Sequence, residues 1–278
     1  MPTVAKTDPS TMTTAGGQTH RAKGNQRRSP VSIHVMQVAL FIGILTAWQI
    51  TSTFSLVPPY ILGEPIGVAR QLYVWLVTGK VYPHIAVTLL ETVLAFVIGL
   101  VLGIGMGLLL GLNVTLAKLF DPYLKAFNAM PRVVLVPIFI VWFGLGIWSK
   151  VALGITLVFF IVFFNVFQGV RDVNPVVLAN ARMLGASRRQ LLTRVYLPSA
   201  TGWVFSSLHA SVGMAFAGAV IGEYMGSARG LGYLILQAES VFDINAVFAG
   251  MVLLTIFAVI LDWIVSSFEK RLVKWKPE

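Results

Sequence analysis

The chain has no cysteine among its 278 residues. That excludes a disulfide framework and any thiolate metal site, and leaves the compartment unread. Charge is scarce too. Only 12% of the residues are Asp, Glu, Lys or Arg, about half the share that a soluble domain carries. With 56% of the chain hydrophobic, so few charges cannot cover the core that the chain would bury. The four histidines, His20, His34, His84 and His209, fall without metal-ligand spacing. A phosphate-binding loop of the G-x-x-x-x-G-K-[ST] kind is missing, since Gly79-Lys80 is followed by Val81 and Val74 stands where the first glycine belongs. No H-E-x-x-H and no nucleophile elbow occur. The expectation is a non-enzyme with no metal and no cofactor.

What is present is long apolar runs, at about 33–53, 85–112, 123–144, 150–170, 199–222 and 247–268. Roughly 20 apolar residues suffice to cross hydrocarbon as a helix. The runs do not alternate as barrel strands would. They predict an all-α integral membrane protein with about six transmembrane helices, filling a transmembrane domain over 33–278. Pro122, Pro131 and Pro137 punctuate the third run, and proline there requires neighbours that satisfy the freed carbonyls. Residues 1–32 are polar and read as a disordered cytoplasmic tail, because no small-residue cleavage site closely follows the first run. Residues 54–84 carry Pro58, Pro59 and Pro65 and an amphipathic piece around Val68–Val77.

The formal net charge is +10. Lys and Arg sit between the apolar spans, not on one face of a soluble domain, which argues for orientation and anionic lipid and against nucleic acid. On one side fall the tail, Lys118 and Lys125, the five arginines of 171–198 and the C-terminal Lys270, Arg271, Lys274 and Lys276; on the other fall Arg70, Lys80, Lys150 and Arg229. Sixteen against four places both termini and the 171–198 connection in the cytoplasm. The second span repeats Gly99, Gly103, Gly107 and Gly111 at intervals of four, a ridge without side chains where another helix can approach, or a hinge or dimer face.

Ionisable residues at membrane depth are functional candidates by default. Arg132, Glu91, His209, Asp262 and Glu223 qualify. Glu91 and Asp262 read as structural pairs, Arg132 as a pathway residue for an anionic solute, and His209 as an interhelical donor or a solute contact. Trp142 and Trp148 read as outer-interface anchors.

The segment 174–198 interrupts this pattern. Asn174-Pro175 is a helix start, an Asn cap with proline at the first helical position. Gly185 suits a left-handed stop, and Ser187 with Gln190 makes a capping box that restarts a helix. Leu191, Leu192, Val195 and Tyr196 group on one face of that second helix, and Pro198 precedes the next span. Two capped helices around a glycine corner could lie on anionic lipid or form a docking platform for a cytoplasmic partner.

ARMLGASRRQLLTRVYLP (181–198) resembles the EAA loop of permease subunits in binding-protein-dependent ABC importers. Ala181, Gly185, Leu197 and Pro198 fit that motif, while Ala179 stands in the place of its glutamate. AMPRVVLVPIFIVWFGLGIWSKV (129–151) and GEYMGSARGLGYLI (222–235) are similar to the nitrate/sulfonate/taurine branch, so the resemblance covers about residues 85–268. It implies a type I importer permease fold in a bacterial inner membrane. It further implies a second permease copy, cytoplasmic ATP-binding subunits docked on the loop at Ala181, Gly185, Ala186, Ser187, Arg188, Leu197 and Pro198, and an external solute-binding protein. The alternative is an ion-gradient-driven secondary transporter. That class would typically show inverted repeats and a chain of buried carboxylates.

Overall fold

A computed structural model describes residues 30–272, and the predicted polar tail lies almost wholly outside them. Contacts divide the chain after Thr46 into two units. The first holds the start of α1 (Pro30–Thr53), whose segment Ile33–Thr53 is long and apolar enough to cross a membrane.

The second unit begins with the last turns of α1 and continues through short α2 (Pro59–Leu62) and α3 (Pro65–Val77). Next come α4 (Tyr82–Leu112), α5 (Val114–Ala129), α6 (Val136–Phe143) and α7 (Ile147–Arg171). The rest is α8 (Pro175–Met183), α9 (Arg188–Leu191), α10 (Leu197–Met225), α11 (Leu231–Ser240) and α12 (Ile244–Leu272). Among the described residues no strand occurs. Among the described residues five helical stretches are long and apolar enough to cross a membrane, or six if one bent pair is counted as a single broken span.

That bent pair corrects the expected third span. Over 123–144 the chain forms no single helix: α5 ends at Ala129, a 3₁₀ turn covers Arg132–Leu135, and α6 follows, with a 90° bend at the break. The cause is Pro131, whose ring disfavours helical geometry in the residue before it. Met130 accordingly takes φ −69° and ψ 131°. Pro122 is accommodated inside α5, and Pro137 sits harmlessly in the first turn of α6.

α7 is the central helix, and its two faces are built differently. Towards α4 it presents Val158, Val162, Val166 and Val170, all buried, at the same four-residue interval as the glycines opposite. A Cβ added at Gly99, Gly103, Gly107 or Gly111 would come within 2.7–2.8 Å of the Cβ of the corresponding valine. Bare backbone therefore receives branched side chains along four turns, the close approach by which membrane helices gain packing energy when lipid competes equally for apolar surface. Towards α10 the approach is closer: a Cβ on Gly218 would lie 2.6 Å from the Cα of Gly154. A second cluster gathers Val68 and Trp75 of α3, Leu231, Leu234 and Ala238 of α11, and Ala246, Ala249 and Leu253 of α12. The amphipathic segment after the first span thus packs its apolar side into the bundle.

Candidate functional site

Among the described residues, three of the places that hold polar chemistry bear on the candidate residues and the basic segment. The first lies where α4, α7 and α10 meet. Glu91, Lys150 and Glu223 are 1%, 0% and 0% exposed, and a buried charge survives only when other groups answer it. Glu223 accepts hydrogen bonds from Thr88 Oγ1 (2.6 Å) and from the backbone N–H of Gly232 (2.7 Å). Thr88 Oγ1 in turn accepts from the N–H of Leu231 (2.9 Å), and His84 Nδ1 accepts from the N–H of Gly230 (3.1 Å). Three successive amides opening α11 are therefore bound by side chains of α4 and α10. Gly230 makes the fit possible, since its φ is 117° and a Cβ there would stand 2.1 Å from Glu223 Cδ. Lys150 Nζ donates to the carbonyls of Leu145 (2.6 Å) and Gly146 (3.0 Å), tying the turn after α6 into the same cluster. The Oε2 of Glu91 is buried without a hydrogen-bond partner.

Lys150 lies inside α7, near its start, and is among the largest fully buried side chains of the described residues. Glu91 and Glu223 were candidates from the sequence, whereas Thr88, His84 and Lys150 were not. The spacing of Thr88 and Glu91, three apart on one helix face, was the available signal.

The second place surrounds Arg132. Its guanidinium donates to the carbonyl of Asn128 (3.0 Å) and to Asn128 Oδ1 (2.9 Å), and lies 4.8 Å from the centre of the Phe160 ring. Its Nε is buried and has no hydrogen-bond partner. Arg132 and Asn128 line an open cleft of about 360 Å³ with Phe160, Phe164, Asn165 and Met214. The bend at Pro131 produces this arrangement by returning the chain so that Arg132 faces α7. A half-buried guanidinium with an aromatic face below and two amides beside it can bind a small oxyanion by charge-assisted hydrogen bonds. His209 is elsewhere. It pairs with Asp262 across α10 and α12, beside a separate cleft of about 320 Å³.

The third place is the 174–198 segment. Asn174 Oδ1 accepts from the N–H of Val176 (2.8 Å) to open α8. At its end Gly185 takes φ 78°. Its N–H reaches the carbonyl of Arg182, and that of Ala186 reaches the carbonyl of Ala181, both at 3.0 Å. This double bond pattern closes a helix on a left-handed residue. Ser187 and Gln190 form a reciprocal box, with Gln190 N–H on Ser187 Oγ at 3.3 Å and Ser187 N–H on Gln190 Oε1 at 2.8 Å. Nothing stands within 4 Å of a Cβ added at Gly185, so the backbone alone demands glycine there. The second helix does not stop before Pro198. A π-helical stretch, Leu192–Tyr196, carries it into α10, so that Arg188–Met225 is one helical stretch of 38 residues. Leu197 and Pro198 lie at the start of α10.

Comparisons with known proteins agree on one class. Residues 99–274 match the family described as binding-protein-dependent transport system inner membrane component. The taurine transport system permease protein TauC of Escherichia coli is 30% identical over 87% of this chain and 91% of its own length. The riboflavin transport system permease protein RibX of Chloroflexus aurantiacus is 34% identical over 84% and 87%. Among solved structures, a chain of the MetNI methionine ABC transporter, in an inward-facing conformation, superposes with a TM-score of 0.59. It is 18% identical and covers 71% of this chain and 96% of that one.

Proposed function

The chain belongs to the family of binding-protein-dependent transport system inner membrane components, and from that premise we propose that it lines the pathway for a small anion and takes its power stroke through the α8–α9 corner. ATP is hydrolysed on separate cytoplasmic subunits, which dock on this corner. A second copy of the chain completes the pathway, an external binding protein delivers solute, and both termini and Arg188 face the cytoplasm. The relatives' solutes differ in kind, taurine in one and riboflavin in another. The anion assignment for this chain is supported by the guanidinium at Arg132; nitrate, a sulfonate and taurine share the required oxyanion chemistry.

The observation that carries this reading is the geometry of the corner. A loop serving only to bias orientation needs positive charge and no fixed shape. Here both helices are capped, the turn between them is set by Gly185, and the second helix runs on into α10. Displacement at the corner is therefore delivered directly to a helix packed on α7. Ala181, Ala186 and Ser187 shape the same turn, and single arginines such as Arg188 contribute less.

The test is Gly185→Val. A β-branched residue held at positive φ costs on the order of 1–2 kcal/mol and changes the angle between the helices. Insertion and subunit pairing should persist, since the spans are untouched. Co-purification of the ATPase, or its stimulation by loaded binding protein in proteoliposomes, should fall. Wild-type docking and stimulation in the variant would return the segment to a lipid-surface role.

A further inference from the structure

We propose that the cleft between the end of α4 and the α8–α9 corner is a binding site for the headgroup of an anionic phospholipid of the cytoplasmic leaflet. The cleft holds about 650 Å³ and has two kinds of wall. Arg182, Arg188 and Arg189 stand around it, whereas Leu109, Leu112 and Tyr196 line it with apolar surface. All three arginines are exposed, and none of their guanidiniums has a hydrogen-bond or ion-pair partner among the described residues. Two carboxylates of the neighbouring elements are already engaged, Asp121 by Lys125 and Asp172 by Gln168. Three guanidiniums around one cavity call for an anion from outside the chain, and the guanidinium fork matches phosphate oxygens.

The apolar wall chooses the source of that anion. A free phosphate would use only the arginines. A phospholipid uses both walls, its phosphate on the guanidiniums and the start of its acyl chains along Leu109 and Leu112. The level is also right. The apolar run of α4 ends at Leu112, and Asn113 caps α5 with hydrogen bonds from the N–H groups of Thr115 (3.1 Å) and Leu116 (3.2 Å), which marks the boundary between hydrocarbon and headgroups. A lipid seated there touches α4, α8 and α9 together and braces the corner from behind, leaving the open space at Gly185 clear. Naming the cytoplasmic leaflet rests on the orientation proposed above. The lipid preference does not, so either can fail without the other.

The experiment is native mass spectrometry of the full-length protein released from micelles holding equal amounts of phosphatidylglycerol and phosphatidylcholine. Three arginines near a surface should favour phosphatidylglycerol by about tenfold or more. The triple variant Arg182→Gln, Arg188→Gln, Arg189→Gln should lose that preference. The triple Lys variant, which keeps charge without the fork, should retain most of it, and Arg194→Gln, outside the cleft, should match wild type. Equal retention of the two lipids by wild type, or unchanged preference in the triple Gln variant, would overturn the proposal. Displacement of the lipid by millimolar inorganic phosphate would assign the arginines to a free anion and also overturn it. Unchanged lipid preference with lost ATPase capture in the triple Gln variant would make this face a protein dock instead.

Discussion

At the scale of single residues, the structure separates glycines that admit a neighbour from those that do not. Gly103 receives Val162 at 2.8 Å, whereas Gly105, two residues on, has nothing within 4 Å of an added Cβ. Gly103→Val should therefore overpack the α4–α7 contact at a cost of about 1–3 kcal/mol. Gly105→Val should stay within about 1 kcal/mol of wild type, the span of helix propensity. Thermal unfolding of the detergent-solubilised protein measures both, and Gly103→Val with Val162→Ala should recover part of the loss. Equal melting of the two single variants would contradict the packing account. Glu223 gives a second comparison. Glu223→Ala leaves the N–H of Gly232 buried without its partner, at about 1–3 kcal/mol, while Thr88 keeps its bond to the carbonyl of His84 (3.1 Å); Glu223→Gln keeps an acceptor and should unfold later than the Ala variant. Arg132 belongs here too: Arg132→Lys should keep partial transport of an anionic solute and Arg132→Met should lose it, with assembly unchanged. Equal transport by all three versions would remove Arg132 from the pathway.

At the scale of elements, what the sequence reveals depends on how local the deciding interaction is. Asn174, Gly185, Ser187 and Gln190 act within five residues of themselves, so the corner could be read from capping chemistry alone. The glycine repeat of α4 was equally visible, but its partner was not, because the valines opposite stand about 60 residues further on with an ordinary apolar pattern. Pro131 was seen as punctuation, and its 90° consequence was lost because hydropathy reports the length of an apolar run and not its direction. The burial of Lys150 is hidden in the same way, because the helix that approaches it closely does so at Gly222, 72 positions later. The link from Thr88 to Glu223 spans 135 positions, and no periodicity encodes it.

At the scale of the whole molecule, the proposed orientation rests on the sixteen-to-four distribution of Lys and Arg in the sequence. The absence of native cysteine makes that assignment clean to test. Single cysteines at 80 and 229 should react with an impermeant reagent on intact cells, and one at 188 should react only after the membrane is opened. Labelling of 188 from outside would reverse the topology and remove the corner from any cytoplasmic ATPase. The central claim is that transport draws on ATP hydrolysed by another chain. It is tested most directly by uptake into proteoliposomes of the solute found in the partner binding protein. The liposomes contain this chain with or without a co-expressed ATPase subunit, with or without ATP, and under an imposed ion gradient. The account predicts uptake only when ATPase and ATP are both present, whatever the gradient. Uptake by this chain alone, driven by the gradient, would contradict it and identify a secondary transporter.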